Sequence, residues 1–322
     1  MYKVYITRQI PEPGIELLRK NFEVEVNPED RVLTREELLE KVRGRDAILC
    51  LLTDKIDAQV MDSATGARIF ANYAVGYDNI DVPEATKKGI LITNTSGVLT
   101  ETTADLAWAL LMATARRVVE ADRFTRAGKF KGWGPMLLLG VDVWGKTLGL
   151  VGAGRIGSAM ARRSVGFKMN LLYHDPYSNR ELEEELGVKK ADLDTLLKES
   201  DFISIHVPLT QETHHLIGER EFSLMKHSAH LINTSRGPVV DEEALVQALQ
   251  NRRIAGAGLD VYEHEPQLTP GLTELDNVVV VPHIASASTE TRTKMAIIAA
   301  QSITDFFEGL RPAHCVNPEV LM

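Results

Sequence analysis

The sequence predicts an α/β protein with two doubly wound parallel sheets, and three observations support this class. Short apolar runs alternate with helical patterns along almost the whole chain, as they do in βαβ units. These runs form two series, and a segment rich in Gly and Trp separates them. The chain has 322 residues, of which 44% are hydrophobic, so it can form two domains that each bury a core.

The first series precedes a long predicted helix. This helix begins after Thr100 and runs towards Ala121, and Thr100 and Thr103 can cap its N-terminus. The segment at residues 128–145 then forms a long connector, which is a candidate for a crossing between domains. The strands predicted in this series lie at residues 4–6, 47–52, 68–71 and 90–93, with helices between them, for example at 36–42.

The second series contains six predicted strands, the number that a doubly wound dinucleotide-binding sheet requires. A final helix follows at residues 289–308 and ends at Gly309. The six strands lie at residues 148–151, 170–173, 202–206, 230–233, 257–260 and 278–281.

Composition and charge argue against several classes of function. The chain has no apolar run of about 18 residues and no signal peptide, so we expect no membrane association. Its net charge of −9 disfavours nucleic acid as a partner. Cys50 and Cys315, the two cysteines, form neither a disulfide framework nor a metal-ligand pattern. We therefore expect a cytoplasmic protein without a bound metal.

A glycine-rich turn predicts a dinucleotide site. Gly152, Gly154 and Gly157 form a G-x-G-x-x-G motif that follows a predicted strand and opens a helix. The first glycine permits a tight turn, the second lets backbone amides approach a pyrophosphate, and the third lets the helix pack on the strand. The helix N-terminus then offers N–H groups to the phosphates. A glycine turn with a structural role alone is the alternative.

The carboxylate of Asp175 predicts a preference for NAD over NADP. It ends the next predicted strand, about 20 residues after the glycine motif, where an acidic residue binds the ribose hydroxyls. This charge would also repel a 2′-phosphate. An NADP site would more naturally have Arg or Lys directly after this position, where the chain has Pro176 and Tyr177, with Arg180 further along. NADP is the less favoured alternative.

Three charged residues follow strands of the second series, where ligands of open α/β sheets bind. They are Arg236, Glu265 and His283. A guanidinium can bind the carboxylate of a 2-oxo acid, and an imidazole supported by a carboxylate can protonate its carbonyl oxygen. Each residue alone could instead be a surface or structural group, and His206 and His264 are rival histidines.

These residues lie in segments that resemble the D-2-hydroxyacid dehydrogenase family over nearly the whole chain. Within the family, the chain most resembles glyoxylate/hydroxypyruvate reductases, through residues 52–55, 132–135 and 139–140. The motifs that carry the family resemblance are those at residues 74–81, 152–157, 233–237, 260–266 and 282–284.

The resemblance implies a role for each candidate residue. Arg236 would bind the substrate, His283 would be the acid/base and Glu265 would be its partner. The backbone amides of Val75 and Gly76 would bind the substrate carboxylate. The implied cofactor-binding residues are Thr103, Gly152, Gly154, Arg155, Ile156, Gly157, Asp175, Val207, Pro208, Thr213, Thr234, Ser235, Asp260 and Ala285.

The resemblance also implies two Rossmann-like or flavodoxin-like domains. The substrate domain would be discontinuous, with residues 1–99 and 288–322 on either side of a dinucleotide-binding domain at 100–287. Such enzymes are usually homodimers. We expect NAD(H)-dependent reduction of glyoxylate or hydroxypyruvate to the D-2-hydroxy acid. Alternatives are another small acid, such as D-lactate or phosphite, and a non-enzymatic NAD(H)-sensing scaffold.

Overall fold

The computed structural model describes residues 1–322, which pack as two compact units. The terminal unit comprises Met1–Leu99 and Ser286–Met322, and the central unit comprises Thr100–Ala285. The second boundary lies two residues before the predicted one at 287. The reason is that the Asp260 carboxylate accepts hydrogen bonds from the N–H groups of Ile284 and Ala285, which keeps this stretch in the central unit.

The terminal unit is built on a five-stranded parallel sheet. Its strands are β1 (Lys3–Ile6), β2 (Glu23–Val26), β3 (Ala47–Cys50), β4 (Ile69–Asn72) and β5 (Leu91–Thr93). Its helices are α1 (Glu12–Arg19), α2 (Arg35–Lys41), α3 (Ala58–Ser63), α4 (Val82–Lys87) and α12 (Thr289–Phe307). The strand order is β2–β1–β3–β4–β5. The C-terminal helix α12 joins this unit because its apolar face, including Met295 and Ile303, packs in one core with Ile15 and Leu18 of α1.

Strand β2 is absent from the sequence prediction. It pairs with β1 alone and forms an edge of the sheet. Its four residues alternate Glu and Val, and none of them is fully buried. An edge strand of this kind lacks the continuous apolar run that marks a strand buried on both faces.

The central unit contains a seven-stranded parallel sheet. Its strands are β6 (Thr147–Val151), β7 (Asn170–His174), β8 (Lys189–Lys190), β9 (Phe202–Ile205), β10 (His230–Asn233), β11 (Gly256–Leu259) and β12 (Val278–Val280). Its helices are α5 (Thr100–Ala115), α6 (Val118–Arg126), α7 (Arg155–Ser164), α8 (Arg180–Leu186), α9 (Leu193–Glu199), α10 (Glu219–Leu224) and α11 (Glu242–Gln250). The strand order is β12–β11–β10–β9–β6–β7–β8, so the winding direction changes between β6 and β9. Ligands of doubly wound sheets bind at the carboxyl ends of the strands beside such a change.

The central sheet separates two apolar cores. Leu148 and Leu150 of β6 enter the core on one face, whereas Val151 enters the core on the other. Because both faces are buried, the strands are almost continuously apolar, which is why six of them are detectable in the sequence. None of the helices combines the length and apolar character that a membrane crossing requires.

Four predictions for the central unit are wrong in detail. The sheet has seven strands instead of six, because β8 consists of two exposed lysines at an edge and gives no apolar signal. The long helix is two helices, α5 and α6, because Arg117 between them has a left-handed φ of 52°. The helix was predicted to begin after Thr100, but Thr100 is itself the first residue of α5. The connector at 128–145 lies within the central unit and is not a crossing between domains.

Candidate active site

The glycine turn between β6 and α7 leaves the N-terminus of α7 accessible to an anion. Gly152 has a φ of 98°, and its N–H donates to the carbonyl oxygen of His174 at 2.8 Å. A Cβ at Gly157 would lie 2.1 Å from the Gly152 carbonyl oxygen, so the strand and helix approach too closely for a side chain. Gly154 caps α7 without a side-chain hydrogen bond, and a Cβ there would meet no atom within 4 Å. This open approach to unpaired N–H groups fits a pyrophosphate.

Asp175 lies beside this turn, at the end of β7. Its two carboxylate oxygens accept hydrogen bonds from the N–H groups of Ala153, at 3.0 Å, and Tyr177, at 2.9 Å. Asn179 supports the same turn, since its amide donates to the Ala153 carbonyl oxygen at 2.7 Å. Asn179 is not among the residues predicted from the sequence. Its one sequence signal is its position as the N-cap of α8, where it accepts a hydrogen bond from the Leu182 N–H.

Most of the other predicted cofactor-binding residues follow the carboxyl ends of the central strands, and Thr103 lies buried in α5. The Thr234 hydroxyl is buried and has no hydrogen-bond partner in the chain. The Thr213 hydroxyl is already engaged and donates to the Pro208 carbonyl oxygen at 2.6 Å. The residues at strand ends or in the first turn of α7 are Arg155, Ile156, Val207, Pro208, Thr213, Thr234, Ser235, Asp260 and Ala285.

His283 and Glu265 form a hydrogen-bonded pair. The Nδ1 atom of His283 lies 2.9 Å from Oε2 of Glu265, and about a quarter of the His283 side chain is exposed. The other Glu265 oxygen accepts from the Tyr262 N–H at 3.0 Å, which fixes the carboxylate. His283 has a left-handed φ of 52°, and its N–H donates to the Asp260 carbonyl oxygen at 2.9 Å. The imidazole is therefore oriented through Nδ1, and Nε2 is the nitrogen that can meet a substrate.

Charges around this pair keep the Glu265 carboxylate ionised. Burial alone would raise the pKa of Glu265, but the hydrogen bond and charge of His283, the Tyr262 N–H and the charge of Arg236 outweigh it, and the pKa is lowered. For Asp260, the effect of burial on the pKa is larger than the effect of its hydrogen bonds. Burial raises its pKa despite the hydrogen bonds from Ile284 and Ala285.

Arg236 is held at the end of β10 by its own loop. Its guanidinium donates from Nη1 to the Ser235 carbonyl oxygen at 2.8 Å, and its carbonyl oxygen accepts from the Asn233 side chain at 2.9 Å. The next residue, Gly237, has room for no side chain, because a Cβ would lie 1.9 Å from the carbonyl group of Tyr262. This close approach brings the Arg236 loop against the segment that carries Glu265. Asn233 is part of the predicted motif at residues 233–237, but no role was predicted for it; it is buried at the end of its strand and positions Arg236.

The two rival histidines do not occupy this position. His206 has Nε2 2.9 Å from the Ser204 hydroxyl, and burial lowers the pKa of His206 to about 4, so it is neutral near pH 7. His264 is exposed next to Glu265, but the Glu265 carboxylate pairs with His283.

In the terminal unit, the loop after β4 presents two backbone N–H groups. The Val75 carbonyl oxygen accepts from the Asn94 side chain at 2.8 Å, and the Gly76 carbonyl oxygen accepts from the Asn72 side chain at 2.8 Å. The N–H groups of Val75 and Gly76 have no acceptor in the chain. The two asparagines hold the loop by its carbonyl oxygens, so both N–H groups can bind an anion.

Comparison with known proteins identifies the family. A sequence profile described as "D-isomer specific 2-hydroxyacid dehydrogenase, NAD binding domain" matches residues 108–285, which is more than half of the chain. The chain belongs to the D-2-hydroxyacid dehydrogenase family. It is an oxidoreductase that uses a nicotinamide cofactor, and the prediction of two Rossmann-like parallel-sheet units is confirmed.

Individual relatives are similar to this dehydrogenase over nearly its full length. The glyoxylate reductase of Korarchaeum cryptofilum is 54% identical and covers 99% of this chain and 97% of its own. A protein of Thermus thermophilus has a solved structure with a TM-score of 0.91, 44% identity and coverage of 98% and 99% of the two chains. The NADPH-dependent glyoxylate/hydroxypyruvate reductase of Sinorhizobium meliloti, solved with NADP and malonate, has a TM-score of 0.87, 34% identity and coverage of 98% and 97%.

Proposed function

We propose that this dehydrogenase reduces glyoxylate, and also hydroxypyruvate, to the corresponding 2-hydroxy acid with NADH. The observation that carries this proposal is the His283–Glu265 pair, 2.9 Å apart, together with the close approach of the segment that carries Glu265 to the Arg236 loop. A proton donor and a guanidinium are the groups that a 2-oxo acid requires. The name glyoxylate reductase borne by relatives that are 54% identical supports the choice of substrate.

In this proposal, His283 moves the proton. Its Nε2 donates a proton to the substrate carbonyl oxygen as that oxygen becomes an alkoxide, and takes it back in the reverse reaction. The ionised Glu265 accepts a hydrogen bond from Nδ1 and places its negative charge beside the ring. The hydrogen bond between the Glu265 carboxylate and Nδ1 also selects the ring orientation of His283 that presents Nε2 to the substrate.

Arg236 would bind the substrate. The guanidinium offers a planar pair of donors for a carboxylate or a carbonyl oxygen. We also propose that the N–H groups of Val75 and Gly76 bind a carboxylate, because these two groups have no acceptor in the chain.

The glycine turn and the strand ends would hold the dinucleotide, which supplies the hydride when bound. The N-terminus of α7, at Arg155 and Ile156, would bind the pyrophosphate, and Thr234 would donate its unpaired hydroxyl. Asp175 would accept hydrogen bonds from the adenosine ribose, and we propose NAD over NADP on this basis.

Removing the charge of Asp175 should weaken the preference for NAD. For Asp175→Asn and Asp175→Ala, we expect the ratio of kcat/KM for NADPH to that for NADH to rise at least about tenfold, because repulsion of a 2′-phosphate disappears. The asparagine variant keeps one accepting oxygen for the turn, so it separates the charge from the fold. Glu199→Gln, an exposed carboxylate on α9, is the matched control. An unchanged ratio in both Asp175 variants would refute this role.

A homodimer is proposed from the connector in the central unit. Trp133 is 86% exposed, Met136 is 76% exposed and Leu139 is 55% exposed, all between α6 and β6. Large apolar side chains in one exposed segment are typical of a protein interface. We also propose a cytoplasmic location, where the free thiols of Cys50 and Cys315 would stay reduced.

A substrate panel tests the proposed function. Glyoxylate, hydroxypyruvate and pyruvate are each assayed with NADH and with NADPH, and phosphite with NAD⁺ and with NADP⁺, by following the absorbance of NAD(P)H. We expect glyoxylate with NADH to give the highest kcat/KM. A higher value with pyruvate or phosphite would assign a different substrate. If the cofactor binds but no acid is turned over, the chain is a dinucleotide-sensing scaffold.

A further inference from the structure

Two histidines and a carboxylate form a cluster beside the carboxyl edge of the central sheet. His214 and His215 belong to the segment after β9, and Glu263 belongs to the segment after β11. One ligand atom from each residue, a ring nitrogen or a carboxylate oxygen, lies within 4.8 Å of the other two. His215 and Glu263 are 48 positions apart, so no short sequence spacing reveals the cluster.

The carboxylate of this cluster is held in place. Oε1 of Glu263 lies 2.6 Å from Nε2 of His215, and its Oε2 accepts from the Glu242 N–H at 3.1 Å. The Glu263 N–H in turn donates to the Glu242 carboxylate at 2.8 Å. Glu263 is therefore fixed from two sides, and one oxygen remains directed at the histidines.

The backbone also directs the histidines. His215 has a left-handed φ of 51°, which is uncommon for a residue other than glycine. Its N–H donates to the Pro238 carbonyl oxygen at 2.8 Å, and the His214 N–H donates to the Thr210 carbonyl oxygen at 3.0 Å. The two rings stack with their centroids 4.1 Å apart. These contacts place both rings on the same side as Glu263.

We propose that His214, His215 and Glu263 bind a divalent transition-metal ion, with Zn²⁺ as the best match. Two imidazoles and a carboxylate are donors that Zn²⁺ takes, whereas Ca²⁺ and Mg²⁺ prefer oxygen ligands alone. With metal–ligand bonds of about 2.0–2.2 Å, ligand atoms lie about 3.3–3.6 Å apart in a tetrahedral site. The rings are exposed and can rotate by the ångström that this spacing requires. The fourth position would hold water.

The ion would take the place of the direct hydrogen bond between His215 and Glu263. It would join the segment after β9 to the segment that carries Glu265, two residues beyond Glu263. A ligand that binds only the folded chain raises its stability. The assigned role is therefore structural, and it requires no part of the proposed reduction of glyoxylate.

Metal titration of the full-length, tag-free chain tests this site. After treatment with a chelator, ZnCl₂ is titrated at neutral pH in a non-coordinating buffer and followed by calorimetry. We expect one ion per chain, and at least about tenfold weaker binding for His214→Ala and for His215→Ala. His227→Ala, another exposed histidine of the central unit, is the matched control and should bind like the wild type.

A second variant separates this site from the proposed active site. His283→Ala should keep wild-type Zn²⁺ affinity, and loss of binding there instead would move the ion to the His283–Glu265 pair and overturn the proposal. Absence of binding, or equal binding by all variants, would also overturn it. As a further check, Zn²⁺ should raise the Tm of the wild type and of His227→Ala but not of Glu263→Gln, whereas Mg²⁺ should raise none of them.

Discussion

Replacing His283 with alanine is expected to lower kcat by about 10²- to 10⁴-fold, the usual contribution of a positioned general acid. Without Nε2, no side chain of the His283–Glu265 pair can protonate the carbonyl oxygen. Binding of NADH should stay near wild type, because the glycine turn and Asp175 do not depend on His283. Steady-state NADH oxidation with glyoxylate gives kcat, and fluorescence titration gives the dissociation constant for NADH.

The His283→Asn variant distinguishes the loss of the imidazole from a change in backbone conformation at position 283. His283 has a left-handed φ, a conformation that asparagine accepts more readily than alanine does. We expect His283→Asn and His283→Ala to lose kcat equally, since neither has an imidazole. His264→Ala, next to Glu265, should retain wild-type kcat. Near-normal turnover by either His283 variant would contradict the proposed mechanism.

Glutamine at position 265 tests the carboxylate of the pair. Glu265→Gln loses the negative charge and keeps a single side-chain oxygen, which can accept from the His283 ring or from the Tyr262 N–H, whereas Glu265 uses a different oxygen for each. The pKa of Glu265 is lowered by His283, the Tyr262 N–H and Arg236, so its carboxylate stays ionised well into the acid range. Glutamine does not titrate, so the acid limb of the kcat/KM profile that protonation of Glu265 produces should disappear in this variant, together with a lower kcat. An acid limb that stays in place would show that it does not arise from Glu265.

The parts of this fold that the sequence predicts are those with buried, repeated patterns. The strand at Thr147–Val151 has apolar side chains towards both cores, so it can be recognised from its own sequence without knowing which strands lie beside it. The two missed strands, β2 and β8, lie at sheet edges where charged side chains replace that pattern. The break between α5 and α6 depends on the left-handed backbone of Arg117. Arginine rarely adopts this conformation, so the residue type does not predict the break.

In the candidate site, too, some residues can be predicted from the sequence and others cannot. Arg236, Glu265 and His283 are detectable because each charged group follows an apolar strand, where ligands bind in this class of sheet. The asparagines that hold the loops, such as Asn72, Asn94 and Asn233, are not detectable in the same way. Asparagine is common in every turn, and only the structure shows which carbonyl oxygen each one binds. The cluster of His214, His215 and Glu263 is likewise not detectable, because the fold brings together segments that follow two different strands, β9 and β11.

Replacing Arg236 with lysine is expected to lower kcat/KM for glyoxylate by about 10- to 100-fold, mostly through KM. Lysine keeps the positive charge but loses the planar pair of donors, and a hydrogen bond to a charged group contributes about 1.5–3 kcal/mol. If the KM for NADH or the Tm changes instead, Arg236 serves the fold through its bond to Ser235. Initial rates at varied glyoxylate and NADH, with thermal unfolding, separate these outcomes.

Alanine at position 236 separates the charge from the donor geometry. The positive charge of Arg236 helps to lower the pKa of Glu265, so its removal should raise that pKa. The acid limb of kcat/KM, where Glu265 becomes protonated and releases His283, should then move to higher pH in Arg236→Ala and stay in place in Arg236→Lys. Added guanidinium should restore part of the activity of Arg236→Ala but not of Arg236→Lys, whose ammonium occupies the site. A limb that moves equally in both variants would show that the donor geometry, and not the charge, sets the ionisation of Glu265.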